Sequence, residues 1–348
     1  MKILKYLFFL ILLILIGGAI YFGTQDGTYE VSDSIVIDAP VEVVFDKVND
    51  YKTWEEWGPW KEDDPTLVYS YAEKTSGEGA SYSWEGELDG SMKTTKVIPY
   101  TLIEQDLTLL TPAGERNPKV VWNFEEVEEG TKVTWNMMGE HELMDKVYYS
   151  FSDMDFDGQM HEMQERGLST LATSVKDDME VFSINVDGIT EYGGGYYMYT
   201  SAASSMNDVS NKMTPMMQEV LSYMENGNLQ QSGNPFTLYN QVDENTNNVI
   251  FSTAVPVREK VITPSGSPVL CGFMEPLTAV KISLNGNYDH LSEAYEQGMA
   301  YLQQNNLTPN PSLPMFEVYI TNPSEVPNPA EWVTQIYLPI ITPADPNS

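Results

Sequence analysis

Phe316-Glu317-Val318-Tyr319, followed downstream by Leu338-Pro339-Ile340, repeats an earlier stretch of the same chain, Phe236-Thr237-Leu238-Tyr239 followed by Val255-Pro256-Val257. Tyr239 becomes Tyr319 under a shift of 80 positions. Each copy reads as strand, helix and hairpin. A duplicated unit of this kind is expected to pack about a pseudo-two-fold axis, with equivalent strands of the two copies lining one central cleft. The copies differ at one informative place, where Thr237 is answered by Glu317. A cleft at the axis would then hold one carboxylate among Tyr, Phe and Met side chains, and a lone buried anion invites a cation or a proton-transfer role.

Outward from the repeat, residues 179–186 read as a strand after a short linker at Lys176-Asp177-Asp178, and residues 188–199 as loop followed by strand. Residues 207–224 have helical spacing, with Pro215 expected to bend the helix or mark its start. The second copy repeats the pattern with a strand at 277–284, a helix at 289–305 and hairpin strands at 315–321 and 335–340. Upstream, residues 29–37 have strand character, and Asp38-Ala39-Pro40 opens a helix with Val41, Val44, Phe45 and Val48 on one face. Trp54, Trp57 and Trp60 follow at three-residue spacing. Six β-rich segments, 67–72, 79–87, 91–99, 102–110, 120–127 and 131–139, are punctuated by Gly, Pro and Asp in the manner of an antiparallel meander. A helix over 157–178, with Met160, Met163, Leu168, Leu171 and Val175 on its apolar side, closes this half. The expected class is α+β, with three parts: an N-terminal segment 1–28, a domain at 29–178 in which a sheet wraps around a long helix, and the duplicated domain at 180–342.

The N-terminal segment is an uninterrupted apolar run from Tyr6 to Phe22 preceded by Lys2 and Lys5. That is close to the ~20 residues that span a bilayer, and the charge asymmetry puts the N-terminus in the cytoplasm. An uncleaved anchor, spanning residues 4–22, is favoured over a cleaved signal peptide, because the run exceeds the usual ~7–15-residue apolar core and no A-x-A site follows. Either way the bulk of the chain is expected on the non-cytoplasmic side. The 51 acidic and 18 basic residues give a formal charge of −33. Such a surface repels phosphate backbones, which argues against a nucleic-acid partner. Cys271 has no intrachain disulfide partner, and three scattered histidines offer no metal-ligand spacing, so no metal or cofactor is expected.

Two resemblances follow from these residues. Ala39-Pro40-Val41-Glu42-Val43-Val44-Phe45, Asp50, Trp54-x-x-Trp57-Gly58-Pro59-Trp60 and Gly130-Thr131-x-Val133-Thr134-Trp135-x-Met137-x-Gly139-Glu140 resemble the START-like, polyketide cyclase-type (SRPBCC) superfamily over residues 29–178. That resemblance implies a helix-grip fold with a cavity for lipids or other apolar molecules, though a shared superfold does not fix a shared activity. Gly233-x-Pro235-Phe236-x-x-Tyr239, Val255-Pro256-Val257, Gly286-x-Tyr288, Glu317-Val318-Tyr319, Glu331 and Tyr337-Leu338-Pro339-Ile340 resemble the GyrI-like small-molecule-binding domain, the effector-binding domain of AraC-type and multidrug-responsive regulators. It implies that the acidic residue matching Glu317 sits at the pocket centre and receives cationic, aromatic ligands. No helix-turn-helix accompanies it here, so direct transcriptional control is not expected.

Weighed residue by residue, Glu317 alternates with Phe316 and Val318, so its side chain points opposite to theirs. Tyr319 shares its face. Tyr196, Tyr197, Tyr199, Phe273 and Trp332 are candidates for an aromatic cage around a cation, each ring contributing ~0.5–2 kcal/mol. The leading reading is a membrane-tethered protein that binds an apolar ligand in its first domain and a cationic or aromatic ligand at Glu317, with Tyr319, Tyr197, Tyr199, Phe273 and Trp332 beside it. The alternatives are a hydrolase in which Glu317 is general base and Tyr319 its orienting donor, and an envelope scaffold with both pockets closed. The enzyme reading is the less favoured, since two residues make a thin active site and no catalytic triad or phosphate loop accompanies them. In the first domain the three tryptophans read as packed lid and turn, Met137 and Met160 as cavity wall or gap-filler, and His161 with Glu162 and Glu165 as an exposed ion-pairing face. Glu125, Glu126, Glu128 and Glu129 read as a solvated hairpin turn without calcium-ligand spacing.

Overall fold

The computed structural model describes residues 2–243 and 245–341, so the expected limits at Met1 and Thr342 lie outside the described residues. The chain divides into two compact units between Asp178 and Met179. It is α+β, with one eight-stranded antiparallel sheet in each unit.

The first unit opens with α1 (Lys2–Gly23), whose apolar stretch Ile3–Gly23 is long and apolar enough, at mean hydropathy 2.6, to cross a membrane. Then come β1 (Thr28–Ile37), α2 (Val41–Asn49), the short α3 (Trp54–Trp57) and α4 (Trp60–Asp63), β2 (Val68–Tyr71), β3 (Ser81–Glu85), β4 (Asp89–Ile98), β5 (Leu102–Thr111), β6 (Gly114–Arg116), β7 (Lys119–Val127) and β8 (Gly130–Glu140). Two helices follow, α5 (Leu143–Phe151) and α6 (Phe156–Met179). The sheet runs β1-β8-β7-β5-β4-β3-β2, with β6 paired to β5. In β8 burial alternates strictly, Thr131, Val133, Trp135 and Met137 pointing inward, which is the period-two signature of a half-covered strand. The buried stripe of α6, Gln164, Gly167, Leu168, Leu171 and Val175, has the spacing of a single helix face. Gly167 is required by the closeness of that packing, because a Cβ there would lie 2.8 Å from the Trp135 ring.

Indole rings dominate the interior of this unit. Trp54 and Trp57 are buried, Trp54 stacks on Trp60 at 5.4 Å, and Trp122 stacks on Trp135 at 4.5 Å. Trp54 donates to the Val48 carbonyl and Trp122 to Gln105 Oε1, whereas Nε1 of Trp57 and of Trp135 has no partner among the described residues. Lys47 is buried on the inward side of α2 and is held by Glu56 and by Asp178 Oδ2 at 2.7 Å. Lys176-Asp177-Asp178, expected as a linker, lies instead within α6, and Asp178 fastens that end of the helix to α2. His161 pairs with Asp33 of β1 at 2.7 Å, across to the sheet rather than along its own helix. Met160 is half-buried and Met137 buried.

The second unit contains β9 (Ser183–Tyr192), β10 (Gly195–Ser205), α7 (Val209–Asn226), β11 (Phe236–Asp243), β12 (Asn248–Val257), β13 (Leu270–Met274), β14 (Leu277–Asn285), α8 (Leu291–Gln304), β15 (Met315–Tyr319) and β16 (Val333–Pro339). Gly188, expected in a loop, lies inside β9 at φ +92 where its pairing with β14 slips register. Pro215 sits within α7, which begins at Val209 and continues through it. The sheet order is β13-β10-β12-β11-β15-β16-β14-β9. β9 and β10 are consecutive in sequence yet stand last and second in the sheet, and the same is true of β13 and β14 at first and seventh. Connections this short reach only ~3.5 Å per residue, so the two edges must approach each other and the sheet curls. One face carries α7 over β10 and β12, and α8 over β14, β9 and β16. The other face, inside the curl, is aromatic: Phe236, Leu238, Phe316, Val318 and Tyr337 are all buried there.

Candidate functional site

β11 and β15 are neighbours at the middle of this sheet and pair antiparallel, with Thr237 directly opposite Glu317, Phe236 opposite Val318 and Leu238 opposite Phe316. Alternation sends Phe236, Leu238, Phe316 and Val318 into the curl and sends Thr237, Tyr239, Glu317 and Tyr319 toward the helices. Glu317 is 1% exposed. Its Oε1 accepts hydrogen bonds from the hydroxyls of Tyr239 at 2.9 Å and of Tyr295 on α8 at 3.0 Å, and Oε2 accepts from Tyr319 at 2.9 Å. The Tyr319 hydroxyl also lies 3.1 Å from Met213 Sδ on α7. None of these partners is a cation.

The electrostatics follow from that shell. Burial pushes the Glu317 carboxyl above its usual 4.5, and the three phenol donors partly oppose the shift by stabilising the anion. Burial and the facing carboxylate push Tyr239, Tyr295 and Tyr319 well above 10, so all three stay protonated and act as donors. An ionised carboxylate has about four acceptor positions, and three are used here. The fourth, on Oε2, has no partner among the described residues.

Tyr319 is also the wall of a cavity of about 620 Å³, lined further by Met213, Met217, Leu221, Pro235 and Tyr288. Tyr288 meets Tyr319 edge-on at 5.7 Å and lies against Trp332 at 4.7 Å. Burial, with Glu317 nearby, raises the Tyr288 phenol to about 12. The structure therefore joins Glu317 to Tyr319, places Tyr319 but not Glu317 in the cavity lining, and leaves Trp332 outside that lining, against Tyr288. Nor does it bring the other expected cage members there. Tyr197 and Tyr199 follow the alternation of β10 onto the opposite face, where Tyr197 packs on Phe236 at 5.2 Å, because Met198 between them takes the helix side. Phe273 is 48% exposed on the edge strand β13, beside Tyr196 at 4.7 Å. Tyr239, Tyr295 and Tyr288 are the residues that sequence reading left out of the site. For Tyr239 the signal was present, since the shift that pairs Thr237 with Glu317 also pairs Tyr239 with Tyr319 and puts it on the same face.

The match to known families agrees with this division of the chain. Residues 28–176 match the family model for polyketide cyclase / dehydrase and lipid transport, and residues 205–341 match that of the GyrI-like small molecule binding domain. The two models match in series, the first over most of the first unit and the second over most of the second. Among solved structures it is similar to the EcmrR C-terminal domain, at 19% identity over 46% of this chain and 98% of that one, TM-score 0.39. A protein of Chromobacterium violaceum is 14% identical over 42% of this chain and 96% of its own, TM-score 0.34. The Aha1 dimer from Colwellia psychrerythraea is 17% identical over 42% and 96%, TM-score 0.31. Among curated proteins no match is found.

Proposed function

We propose that the second unit binds a small molecule bearing a cationic and an aromatic group in the 620 Å³ cavity, with Glu317 behind Tyr319 as counter-charge. The observation that carries this is a carboxylate 1% exposed whose hydrogen-bond partners are all phenols. An anion placed there without a cation costs free energy, and a bound cation offsets the cost. Tyr288 and Tyr319 supply π-faces, Trp332 backs Tyr288 from outside the cavity, and Met213 and Met217 supply adaptable apolar wall. The direct pairing of Thr237 with Glu317 supports a pseudo-two-fold axis between β11 and β15, so that the site is a duplicated pocket made asymmetric by one residue.

In this reading the first unit is a helix-grip domain, α6 held against its curved sheet, that takes an apolar ligand. Helix α1 anchors the chain with its bulk outside the cytoplasm. In support of an anchor, Met144, Tyr148 and Phe151 of α5 are exposed, and the Phe151 ring lies 6.2 Å from Phe22 at the end of α1. An apolar helix face beside the end of an apolar span suits a lipid surface. Carbonate extraction and protease protection of the full chain test the anchor, and release at high pH would sink it.

The binding proposal is tested with the full chain in detergent, wild type beside Glu317→Gln, by thermal shift against a permanently cationic aromatic dye such as ethidium and an uncharged aromatic of similar size. Stabilisation by the cation that the variant loses supports the proposal. Turnover of an electrophilic ester that stops in Glu317→Gln while affinity persists would replace binding with hydrolysis. Equal shifts in both proteins would remove Glu317 from the site.

A further inference from the structure

Inside the curl of the second sheet, on the face away from Glu317, lies a separate cavity of about 390 Å³. Its volume falls in the range of small-molecule pockets, ~300–1,000 Å³. In a protein in which 20% of residues are charged, its lining contains no Asp, Glu, Lys, Arg or His. Tyr192, Tyr197, Phe236 and Tyr337 form its aromatic wall, backed by Phe316. The rings meet in the geometries that aromatic pairs favour: Tyr197 edge-on to Phe236 at 5.2 Å, Tyr192 edge-on to Tyr337 at 5.0 Å, and Phe316 parallel to Tyr337 at 4.8 Å.

Two features point beyond ordinary packing. Gly193, Gly194 and Gly195, the connection between β9 and β10, line it without side chains, and a Cβ at Gly193 would meet nothing within 4 Å. On the floor, the Tyr337 hydroxyl donates to Gln335 Oε1 at 2.9 Å, which fixes the amide and leaves its NH2 without a partner among the described residues. A wall of aromatic rings, uncharged polar side chains of Gln335, Asn234 and Ser232, and no charge make a complementary surface for one class of molecule.

We infer that this cavity is a second ligand site, taking an uncharged planar aromatic molecule that carries a hydrogen-bond acceptor. It opens on the other face of β15 from the Glu317 side, Val318 lining one cavity and Tyr319 the other, and the two linings share only Asn234 and Ile320. The two sites sort ligands by charge across a single strand. The floor amide donates to the acceptor, and the rings stack on or edge against the plane.

The probe is 6-fluoroquinoxaline, uncharged at neutral pH, followed by 19F line broadening with the full chain in detergent against a detergent blank. Wild type and Glu317→Gln are expected to broaden it equally. Gly193→Trp, which fills the open space at a position free of backbone strain, is expected to weaken binding at least tenfold, while Gly193→Ala leaves it unchanged. Gln335→Leu is expected to weaken it about fivefold and serves if Gly193→Trp does not fold. Undiminished broadening in a folded Gly193→Trp, or in Gln335→Leu should that protein be the one available, overturns the inference. So does loss of binding in Glu317→Gln, which would assign the probe to the other cavity. Failure of ethidium to discriminate Glu317→Gln leaves this outcome untouched, so the two proposals fail separately.

Discussion

Behind its sheet the first unit buries Trp54, Trp57, Trp122 and Trp135, whereas behind its own sheet the second buries Glu317 under three tyrosines. Both interiors contain polar atoms, but the kinds differ in what they cost. An indole brings a large apolar area and one N–H, and Nε1 of Trp57 or Trp135, without a partner among the described residues, leaves only a neutral group buried. A carboxyl brings an acid whose charged form is penalised by burial. The indole interior therefore contributes stability that does not depend on pH, while the Glu317 carboxyl contributes stability that falls as pH rises.

The sharpest break of that contrast is Trp57→Ala. It should lower the stability of the first unit by about 3–5 kcal/mol, the usual cost of emptying a buried aromatic site. A denaturant titration followed by tryptophan emission reads this, and ethidium binding by the second unit should persist; a loss under ~1 kcal/mol would mean that the indoles do not carry this interior.

Glu317→Gln should act in the opposite direction. The folded pKa is raised, so the native state holds its proton more tightly than the unfolded chain. The stability this contributes is full below about 4.5, falls as pH rises toward the folded pKa, and is absent above it. The variant lacks that decline, and at neutral pH it should be more stable than wild type by on the order of 1–2 kcal/mol, because a buried charge has been removed. Melting curves across pH 4 to 8 check the sign.

Tyr295→Phe sharpens the same point. Removing one donor to the anion should cost about 1–2 kcal/mol at neutral pH and less at pH 4, where the acid is neutral and needs the donor less. An equal loss at both pH values would mean that Tyr295 only packs. Smallest is Asp178→Asn in the first unit, which weakens the grip on Lys47 but leaves Glu56 in place. With both acidic partners about half exposed, the effect should be about 0.5 kcal/mol and should shrink in high salt.

Much of this fold was legible in the sequence because its signals are local and periodic. The alternation in β8, the stripe on α6 and the strands that carry Tyr239 and Tyr319 all appear in the structure. What escaped was set by tertiary context. α5 and β6 are short, Gly188 sits in a bulge rather than a loop, and Lys176 to Asp178 continue a helix because Lys47 waits for Asp178 across the fold. At the site, period-two reasoning found the face of Glu317 and Tyr319, yet it could not say on which face of β10 Tyr197 and Tyr199 would lie, since that depends on which face receives α7. Tyr295 comes from a helix that no strand pattern links to Glu317. Only the packing of α8 supplies it.

The most direct measurement is the titration of the Glu317 carboxyl itself, by 13C NMR of glutamate-labelled full chain with the signal assigned by its absence in Glu317→Gln. In the free protein the midpoint should lie above 4.5, and saturating ethidium should move it down as the bound cation stabilises the anion. A midpoint at or below 4.5, or one that the cation leaves unmoved, would contradict a desolvated counter-charge at the meeting of the two copies.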